Sequence, residues 1–203
     1  MVRKSLTKLI AVSSFTLLLS ACSIIPKAPQ LTVYQLPQRD VQRLSTVTAN
    51  EVLRVSIPYT RNYLNTNRII VLTPQHSLAV MDGMRWEDLG PIVFRDSLIR
   101  ALRSANIYRA VINDDTAAGN YALRSDLQDF QVDYTVQPAE VVIGLDVSLS
   151  SLRKRDSAVK TTNFTARAAL SAESDEAVVN AFADANQQIQ QQLIQWLGTK
   201  PLP

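Results

Sequence analysis

The sequence is poor in the residues on which much catalytic chemistry depends: its 203 residues include one cysteine, one histidine and five glycines. Cys22 cannot form an internal disulfide, and Cys22 and His76 together cannot supply the usual ligand set of a zinc site. None of the glycines lies in a phosphate-binding loop of the P-loop or dinucleotide type, so the chain is not itself an ATPase. The sequence therefore predicts neither a metal site nor a cofactor.

An excess of charge of one sign is also lacking once the N-terminal segment is set aside. The chain has 21 Lys and Arg against 18 Asp and Glu, a formal charge of +3. Arg3, Lys4 and Lys8 lie in the first 21 residues, where there is no acid, so the rest of the chain is close to neutral. Because a nucleic-acid-binding protein needs a basic face, we predict no nucleic-acid partner.

No arrangement of side chains points to catalysis. A Ser-His-Asp triad would have to use His76, which lies in a predicted hairpin and is interpreted as an exposed turn residue. Asp126, Asp129 and Asp133 could pair as general acid and base or bind a cation, but Asp129 and Asp133 are better explained as solvated positions at a strand end. We predict that the protein is not an enzyme and has no catalytic residues.

The first 21 residues have the composition of a bacterial export signal. A basic start precedes an apolar run over 9–19, and Ser20 and Ala21 supply the small side chains that signal peptidase needs before its cut. The run is well short of the roughly 20 residues that span a bilayer. We interpret residues 1–21 as a signal peptide.

Cys22 follows these small residues directly, as in the bacterial lipobox, in which the cysteine thiol receives a diacylglycerol. The alternative is an ordinary signal peptide followed by an unrelated cysteine, but all the parts stand together at the right distance from the start. Several acyl chains on one residue would give lasting anchorage. Ser23, in place of an aspartate, favours sorting to the outer membrane. We interpret residues 22–30 as the lipidated cysteine and a short tether. The domain would then face the periplasm.

Eight segments have the alternating or β-branched character of strands, and turn signals separate them. The clearest is 141–149, whose odd-numbered residues are all apolar, and 52–59 places Leu53, Val55 and Ile57 on one face. Residues 68–72 are apolar without alternation, which indicates burial on both faces. The predicted strands are 31–36, 52–59, 68–72, 76–81, 108–112, 121–132, 141–149 and 158–170.

Two helices are predicted. The first begins near Asp88 as its N-cap, with Pro91 in the first turn. The second follows a Ser174 cap and ends at Gly198. Its six glutamines between 187 and 195 form an uncharged polar face that we expect to meet water or a partner. Its apolar face is formed by Val178, Phe182, Ala185, Ile189, Leu193 and Trp196.

The order of these elements, strands, helix, strands, helix, predicts the fold class. We expect a single α/β domain over 31–203, with a mixed or mostly antiparallel β-sheet and two main helices packed on it. With 46% hydrophobic residues, the chain can bury a core of that size.

Arg85 and Trp86 form the most interesting local group, directly before the first predicted helix. Because Trp and Arg often anchor interfaces, the pair is a candidate partner-binding site. The favoured alternative is that Trp86 packs the helix onto the sheet.

Short motifs after Cys22 occur in an order and spacing that resemble the ABC-type transport auxiliary lipoproteins. The resemblance covers nearly all of the chain after the signal peptide, but at 87–91 the path from the tryptophan to the helix is longer than expected. The motifs are Tyr34-Gln35-Leu36-Pro37, Leu53-Arg54-Val55-Ser56-Ile57-Pro58, Tyr63-Leu64, Arg68-Ile69, Arg85-Trp86, Tyr121-Ala122-Leu123 with Phe130, and Trp196-Leu197.

The resemblance implies an α/β domain over 31–203 that is similar to the N-terminal domain of TolB and has no enzyme activity. It also implies partnership with a lipid transport system built from an MCE-domain protein, a permease and an ATPase, which moves phospholipids or other hydrophobic molecules between the two membranes. The lipoprotein would anchor or dock the periplasmic part at the outer membrane. Because MCE proteins form rings, a homo-oligomer is a further hypothesis.

Three alternatives stay open. An accessory lipoprotein of another envelope assembly machine would share the anchor and differ in its partner. A periplasmic lipid-binding carrier would need a continuous apolar cavity. A lipid-tethered enzyme would need polar residues clustered in a cleft, and the sequence shows no such set.

Overall fold

The computed structural model of the chain describes residues 31–43, 49–113, 118–153 and 159–198. The predicted signal peptide, Cys22 and the tether to residue 30 lie outside these ranges and stay predictions. No helix within the described ranges combines the length and apolarity needed to cross a bilayer.

The described residues form nine strands and two helices in the order strands, helix, strands, helix. The α/β class and the mixed sheet agree with the prediction from sequence. The elements are β1 (Thr32–Tyr34), β2 (Ala49–Val55), β3 (Tyr59–Thr60), β4 (Arg68–Leu72), β5 (Leu78–Trp86), α1 (Gly90–Ala105), β6 (Tyr108–Asn113), β7 (Tyr121–Asp133), β8 (Glu140–Ser151), β9 (Lys160–Ala169) and α2 (Asp175–Gly198).

Strand β7 organises the sheet. One edge pairs antiparallel with β8 along nearly its whole length, and β8 pairs in turn with β9. The other edge meets three parallel strands in succession: β2 at 121–123, β3 at 126–127 and β4 at 131–133. Strand β6 extends the sheet beyond β2, whereas β5 and then β1 extend it beyond β4.

The predicted strand at 52–59 is wrong at its C-terminal end. Strand β2 ends at Val55, and the chain resumes pairing with β7 only at Tyr59. Pro58 cannot donate a ladder hydrogen bond, so the chain leaves the sheet between the two pairings. Ile57, predicted to share the buried face of Leu53 and Val55, is therefore 46% exposed.

Strand β5 is longer than the predicted hairpin partner at 76–81 and includes Arg85 and Trp86. It passes through an irregularity, because Val80 pairs with Ile70 while Arg85 pairs with Arg68. Gly83 has a φ of 74° within this stretch, a conformation that glycine adopts without steric cost. The predicted strand ended at residue 81, but β5 continues beyond that point through a bulge near Gly83.

The helix starts were predicted with mixed success. Leu89, and not Asp88, is the N-cap of α1, and no side chain caps it; the Asp88 Oδ1 accepts a hydrogen bond from the Leu89 N–H at 2.6 Å. Pro91 does lie in the first turn. For α2 the prediction is confirmed, because the Ser174 Oγ accepts a hydrogen bond from the Ala177 N–H at 3.2 Å.

Four aromatic rings join the helices to the sheet. Phe182 of α2 lies 5.1 Å from Trp86 of β5 and 4.9 Å from Phe130 of β7, between ring centroids. Phe94 of α1 packs on Phe130 at 6.1 Å. Both helices therefore pack on one face of the sheet; we call the opposite face the outer face.

Trp196 was assigned to the core by its helical phase, but it is only partly buried. Its ring packs edge-on against Phe164 of β9 at 6.4 Å. Leu197, the next residue, is buried at 4% exposure, because it lies four residues after the buried Leu193 and so on the same side of the helix.

Candidate docking surfaces

Arg85 and Trp86 point to opposite faces of the sheet, because they are consecutive residues of β5. Trp86 is 1% exposed and lies on the helix side, against Phe130 and Phe182. This corrects the prediction of a partner contact at Trp86, since a buried indole offers nothing to a partner. Arg85 lies on the outer face and stays a candidate.

The neighbour of Arg85 on the outer face is a second arginine. Arg68 of β4 is its register partner, and Val33 of β1 lies on its other side. Both arginines are half-buried, and within the described residues neither guanidinium makes a hydrogen bond or an ion pair. Like charges directly opposite each other on adjacent strands are destabilising. The position therefore suits a negatively charged group from outside the domain.

Aliphatic side chains continue this surface along the hairpin of β4 and β5. Side chains alternate along a strand, so Ile70 and Leu72 lie on the same face as Arg68. Their register partners, Val80 and Leu78, therefore also lie on the outer face. Leu78 and Val80 are 48% and 42% exposed, and with Leu31 and Val33, at 41% and 49%, they form a set of exposed aliphatic residues at this edge.

We call this surface the edge patch, because β1 and β5 form one edge of the sheet. It combines two unpaired arginines with exposed aliphatic side chains from the start of the domain and from β5. Its residues are Leu31, Val33, Arg68, Leu78, Val80 and Arg85.

The glutamine-rich side of α2 was expected to meet water or a partner. Much of it is instead covered by residues 35–42, which we call the N-terminal segment. The Gln42 N–H donates to the Gln191 Oε1 at 3.0 Å, and the Gln187 amide donates to the Asp40 carbonyl at 2.5 Å. The Gln188 amide also stays within the domain, because it donates to the Arg167 carbonyl at 3.1 Å, whereas Gln195 is exposed.

A buried polar cluster fastens the N-terminal segment to both helices. Ser97 of α1 and Asn186 and Gln190 of α2 are each at most 1% exposed. Asn186 and Gln190 donate to the Ser97 Oγ at 2.7 and 2.9 Å, and that hydroxyl donates to the Gln38 Oε1 at 3.0 Å. Buried polar networks of this kind stabilise one arrangement of the elements that they join.

Replacing Gln190 by alanine is expected to lower the free energy of unfolding by about 1–3 kcal/mol, because buried partners lose their hydrogen bonds. It should also loosen the N-terminal segment and speed tryptic cleavage after Arg39 and Arg43. Urea unfolding and limited proteolysis of the mature protein measure the two effects. The matched control is Gln195→Ala on the exposed side of the same helix, and equal effects of both variants would contradict the assignment.

The aspartates of β7 differ in their surroundings. Asp133, predicted to be solvated, is 8% exposed and accepts hydrogen bonds from the Thr135 N–H and hydroxyl at 2.8 and 2.6 Å. Arg167 pairs with Glu140 and lies 4.0 Å from Asp133. Within the described residues no group of three or more His, Cys, Asp or Glu side chains could hold a metal ion.

Asp129 lies over Gly144 of the neighbouring strand. A Cβ at Gly144 would be 2.7 Å from the Asp129 Oδ2, so glycine makes room for the carboxylate. Burial raises the pKa of Asp129 above its usual value, while Arg167 and Arg61 oppose part of that rise. The charged form is therefore less favourable in the folded protein than in the unfolded chain.

We expect Asp129→Asn to raise the free energy of unfolding at neutral pH. A raised folded-state pKa means that the destabilisation is absent while the carboxyl is protonated and develops as the pH rises through the carboxylate range. The gain should therefore vanish near about pH 3. Urea unfolding across this range measures it, with the exposed Asp126→Asn as the control. A gain that is independent of pH would contradict the assignment to desolvation of the charge.

His76 is an exposed turn residue, as predicted. Its φ is 58°, and its N–H donates to the Thr73 carbonyl at 2.8 Å.

Elsewhere on the outer face an open groove of about 500 Å³ is lined by residues that include Arg124, Asp126 and Asp146. Asp146 accepts a hydrogen bond from the Gln128 amide at 2.9 Å.

Sequence reasoning found Arg85 but missed Arg68 and the aliphatic residues beside it. Arg68 looked like the polar start of a buried strand. Its meeting with Arg85 depends on the register across the irregular stretch at Gly83, and no local signal encodes that register. In the sequence, the only sign of this surface was that two aliphatic residues, Leu78 and Val80, stand at alternate positions of the predicted strand 76–81.

The fold is a two-layer α/β domain in which two helices cover one face of a mixed sheet. A family model described as "ABC-type transport auxiliary lipoprotein component" matches residues 34–194. Because this match spans most of the chain, the protein belongs to the family of ABC-type transport auxiliary lipoproteins. Membership implies association with a transport system and indicates a membrane-anchored protein of the envelope.

Solved structures share the fold. The crystal structure of the DUF330 protein XCC0632 from Xanthomonas campestris is 24% identical with a TM-score of 0.73, and the match covers 81% of this chain and 94% of that one. An uncharacterized protein is 16% identical with a TM-score of 0.66, covering 83% and 99% of the two chains. The hypothetical protein CT253 from Chlamydia trachomatis is 10% identical with a TM-score of 0.52, covering 75% and 100%.

At these identities the likeness shows the fold alone. A search of curated proteins found no match. The similarity to the N-terminal domain of TolB stays a prediction.

Proposed function

We propose that the chain is lipidated at Cys22, is held at the outer membrane with its domain facing the periplasm, and anchors or docks the periplasmic part of an MCE-type lipid transport system. Family membership over 34–194 supports the transport role. The lipobox ending at Cys22 and the Ser23 that follows it support the anchor and its location. The role is non-catalytic.

The observation that carries this proposal is how the chain enters the domain after the tether. Arg39 binds Asp184 and Asn180 of α2, each at 3.0 Å, and the Tyr34 hydroxyl donates to Asp175 at 3.2 Å. The N-terminal segment is thus held along α2 by polar contacts and by the cluster at Ser97. A force applied at the acyl chains would therefore act on the helices and would not simply detach the N-terminal segment.

Such a fastened anchor suits a docking component. It keeps a docking surface close to one membrane and raises its effective concentration for a partner that reaches across the periplasm. The partner in this proposal is an MCE-domain protein with its permease and ATPase. Assembly into a homo-oligomer would multiply the docking surfaces.

Two other functions fit the same anchor. As an accessory lipoprotein of a different envelope assembly machine, the domain would bind other partners. As a periplasmic lipid-binding carrier, it would retain lipid after its acyl anchor is accounted for. Organic extraction of the purified protein, followed by mass spectrometry of the released lipids, tests the carrier function.

The main experiment is a pull-down of the full-length lipoprotein from gently solubilised envelopes, with partners identified by mass spectrometry. Recovery of an MCE-domain protein supports the proposal. If a Cys22→Ser chain recovers it as well, the interface lies in the folded domain and the lipid sets only the location. Recovery of a different envelope machine without any MCE protein would overturn the proposal in favour of the first alternative.

A further inference from the structure

We propose that the edge patch lies against the phospholipid headgroup region of the membrane that holds the anchor, and that it fixes the orientation of the domain there. This inference rests on the proposed lipidation of Cys22. It adds a second, non-covalent membrane contact formed by the folded domain itself.

The chemistry of the edge patch fits a lipid surface. Leu31, Val33, Leu78 and Val80 are each between 41% and 49% exposed and could enter the boundary between headgroups and acyl chains. Arg68 and Arg85 lie beside them without a hydrogen-bond or ion-pair partner in the described residues. Arginine stems lie along apolar surface while their guanidinium groups bind phosphate, so this composition matches a membrane interface.

Charges of both signs lie near the edge patch. The exposed Asp82 and Glu87 flank Arg85 along the chain, and Glu87 accepts a hydrogen bond from the Gln35 amide at 2.8 Å. Arg68 and Arg85 have no such partner in the described residues, so these two guanidinium groups are available to phosphate. Phosphodiester groups would separate the two facing guanidinium groups, whose repulsion is otherwise uncompensated.

The edge patch begins only a few residues after the proposed lipid anchor, which favours the membrane over a protein as its binding partner. Leu31 is the first described residue, and eight residues separate it from Cys22. Fully extended, the nine Cα-to-Cα steps from Cys22 to Leu31 reach at most about 30–32 Å, and the reach is shorter in any other conformation. The edge patch includes the point where the tether enters the domain, so it is the described surface that the anchor holds closest to the bilayer.

The sheet order then defines the opposite side. Strand β9 lies five strand spacings from β1, or about 24 Å across the sheet. With β1 and β5 against the membrane, β9 and the adjoining end of the sheet are directed into the periplasm. The edge patch would orient the remaining surface toward a partner.

Fluorescence quenching in reconstituted vesicles tests this orientation. Cys22 is the only cysteine and its thiol is blocked when acylated, so a Val80→Cys substitution provides one site for a bimane label. The full-length acylated protein is reconstituted in vesicles of phosphatidylethanolamine and phosphatidylglycerol that contain lipid spin-labelled near the headgroup. The matched control is Val159→Cys, since Val159 is 58% exposed beside β9.

The expected result is a severalfold larger loss of fluorescence at position 80 than at position 159. Equal or no quenching at position 80 in protein that is acylated and floats with the vesicles would overturn the orientation and leave the proposed function intact. Protein that carries no acyl mass and does not float would overturn both. Shielding of position 80 from aqueous iodide that grows with protein density, without quenching by lipid, would assign the edge patch to a second copy of the chain and overturn the membrane contact.

The arginine pair has its own test in the same assay. The double variant Arg68→Gln, Arg85→Gln is expected to lose most of the quenching at position 80. The control Arg100→Gln removes an exposed arginine of α1 and should leave the quenching unchanged. Equal quenching in the double variant and the control would overturn the role of the two arginines as phosphate contacts.

Discussion

Replacing Trp86 by alanine is expected to lower the free energy of unfolding by about 3–5 kcal/mol, the largest loss of stability that we expect from a single substitution here. Trp86 is 1% exposed and touches Phe130 and Phe182, so the change leaves a cavity where the sheet meets α2. Because small domains are stable by only roughly 5–15 kcal/mol, much of the stability would be lost. Urea unfolding of the mature protein followed by far-ultraviolet circular dichroism measures it.

Two controls make this result specific. Trp196→Ala removes the other tryptophan, which is only partly buried, and should cost clearly less. Arg85→Gln changes the residue directly before Trp86 on the outer face and should leave the stability nearly unchanged. A Trp86→Ala protein of normal stability that had lost a binding partner would contradict the core assignment and restore Trp86 as an interface residue.

Cys22→Ser is expected to abolish the attachment of fatty acid to the protein. The thiol is the one cysteine sulfur in the chain, and a serine hydroxyl is far less nucleophilic toward the donor of the diacylglyceryl group that carries the fatty acids. Metabolic labelling with palmitate and the intact mass of the purified protein measure the effect. Retention of the lipid mass in the variant would contradict lipidation at Cys22.

Ser23→Asp is the matched variant for location. It leaves the acylated cysteine in place and changes only the residue that the sorting pathway of diderm bacteria reads. We expect the variant to keep its lipid and to move from the outer-membrane fraction to the inner-membrane fraction on a density gradient. An unchanged distribution would contradict the assignment of the wild-type protein to the outer membrane.

Elements with a strong periodic pattern could be predicted from the sequence. The segment predicted at 141–149 lies inside β8, and its odd-numbered residues are all buried, because an alternating pattern fixes the two faces of a strand whatever its neighbours are. The α2 cap at Ser174 was equally local, since it depends on residues within one turn.

The pairing of strands was not predictable in the same way. Strands β2, β3 and β4 share one edge of β7, and residues 56–58 are where the chain passes from the pairing of β2 to the pairing of β3. Such contacts join residues about 70 positions apart. Their register depends on the whole sheet and not on the local sequence.

The glutamines of α2 show a similar limit. Their helical phase identified a polar face, but the same phase is compatible with water, a partner or another part of the chain. Ser97 and Gln38 complete the hydrogen bonds of Gln190, and both are distant from it in sequence. A buried glutamine therefore looked like a surface residue until its partners were known.

By itself, the sequence determined the scarcity of cysteine, histidine and glycine, the phases of the regular elements and the motifs that indicate the family. These depend on residue type and short spacings. Only the tertiary structure decided that Trp86 lies in the core and Arg85 lies on the outer face beside Arg68. Alternation in β5 requires the two side chains to point in opposite directions, but the packing of α1 and α2 on one face of the sheet selects which of them is buried.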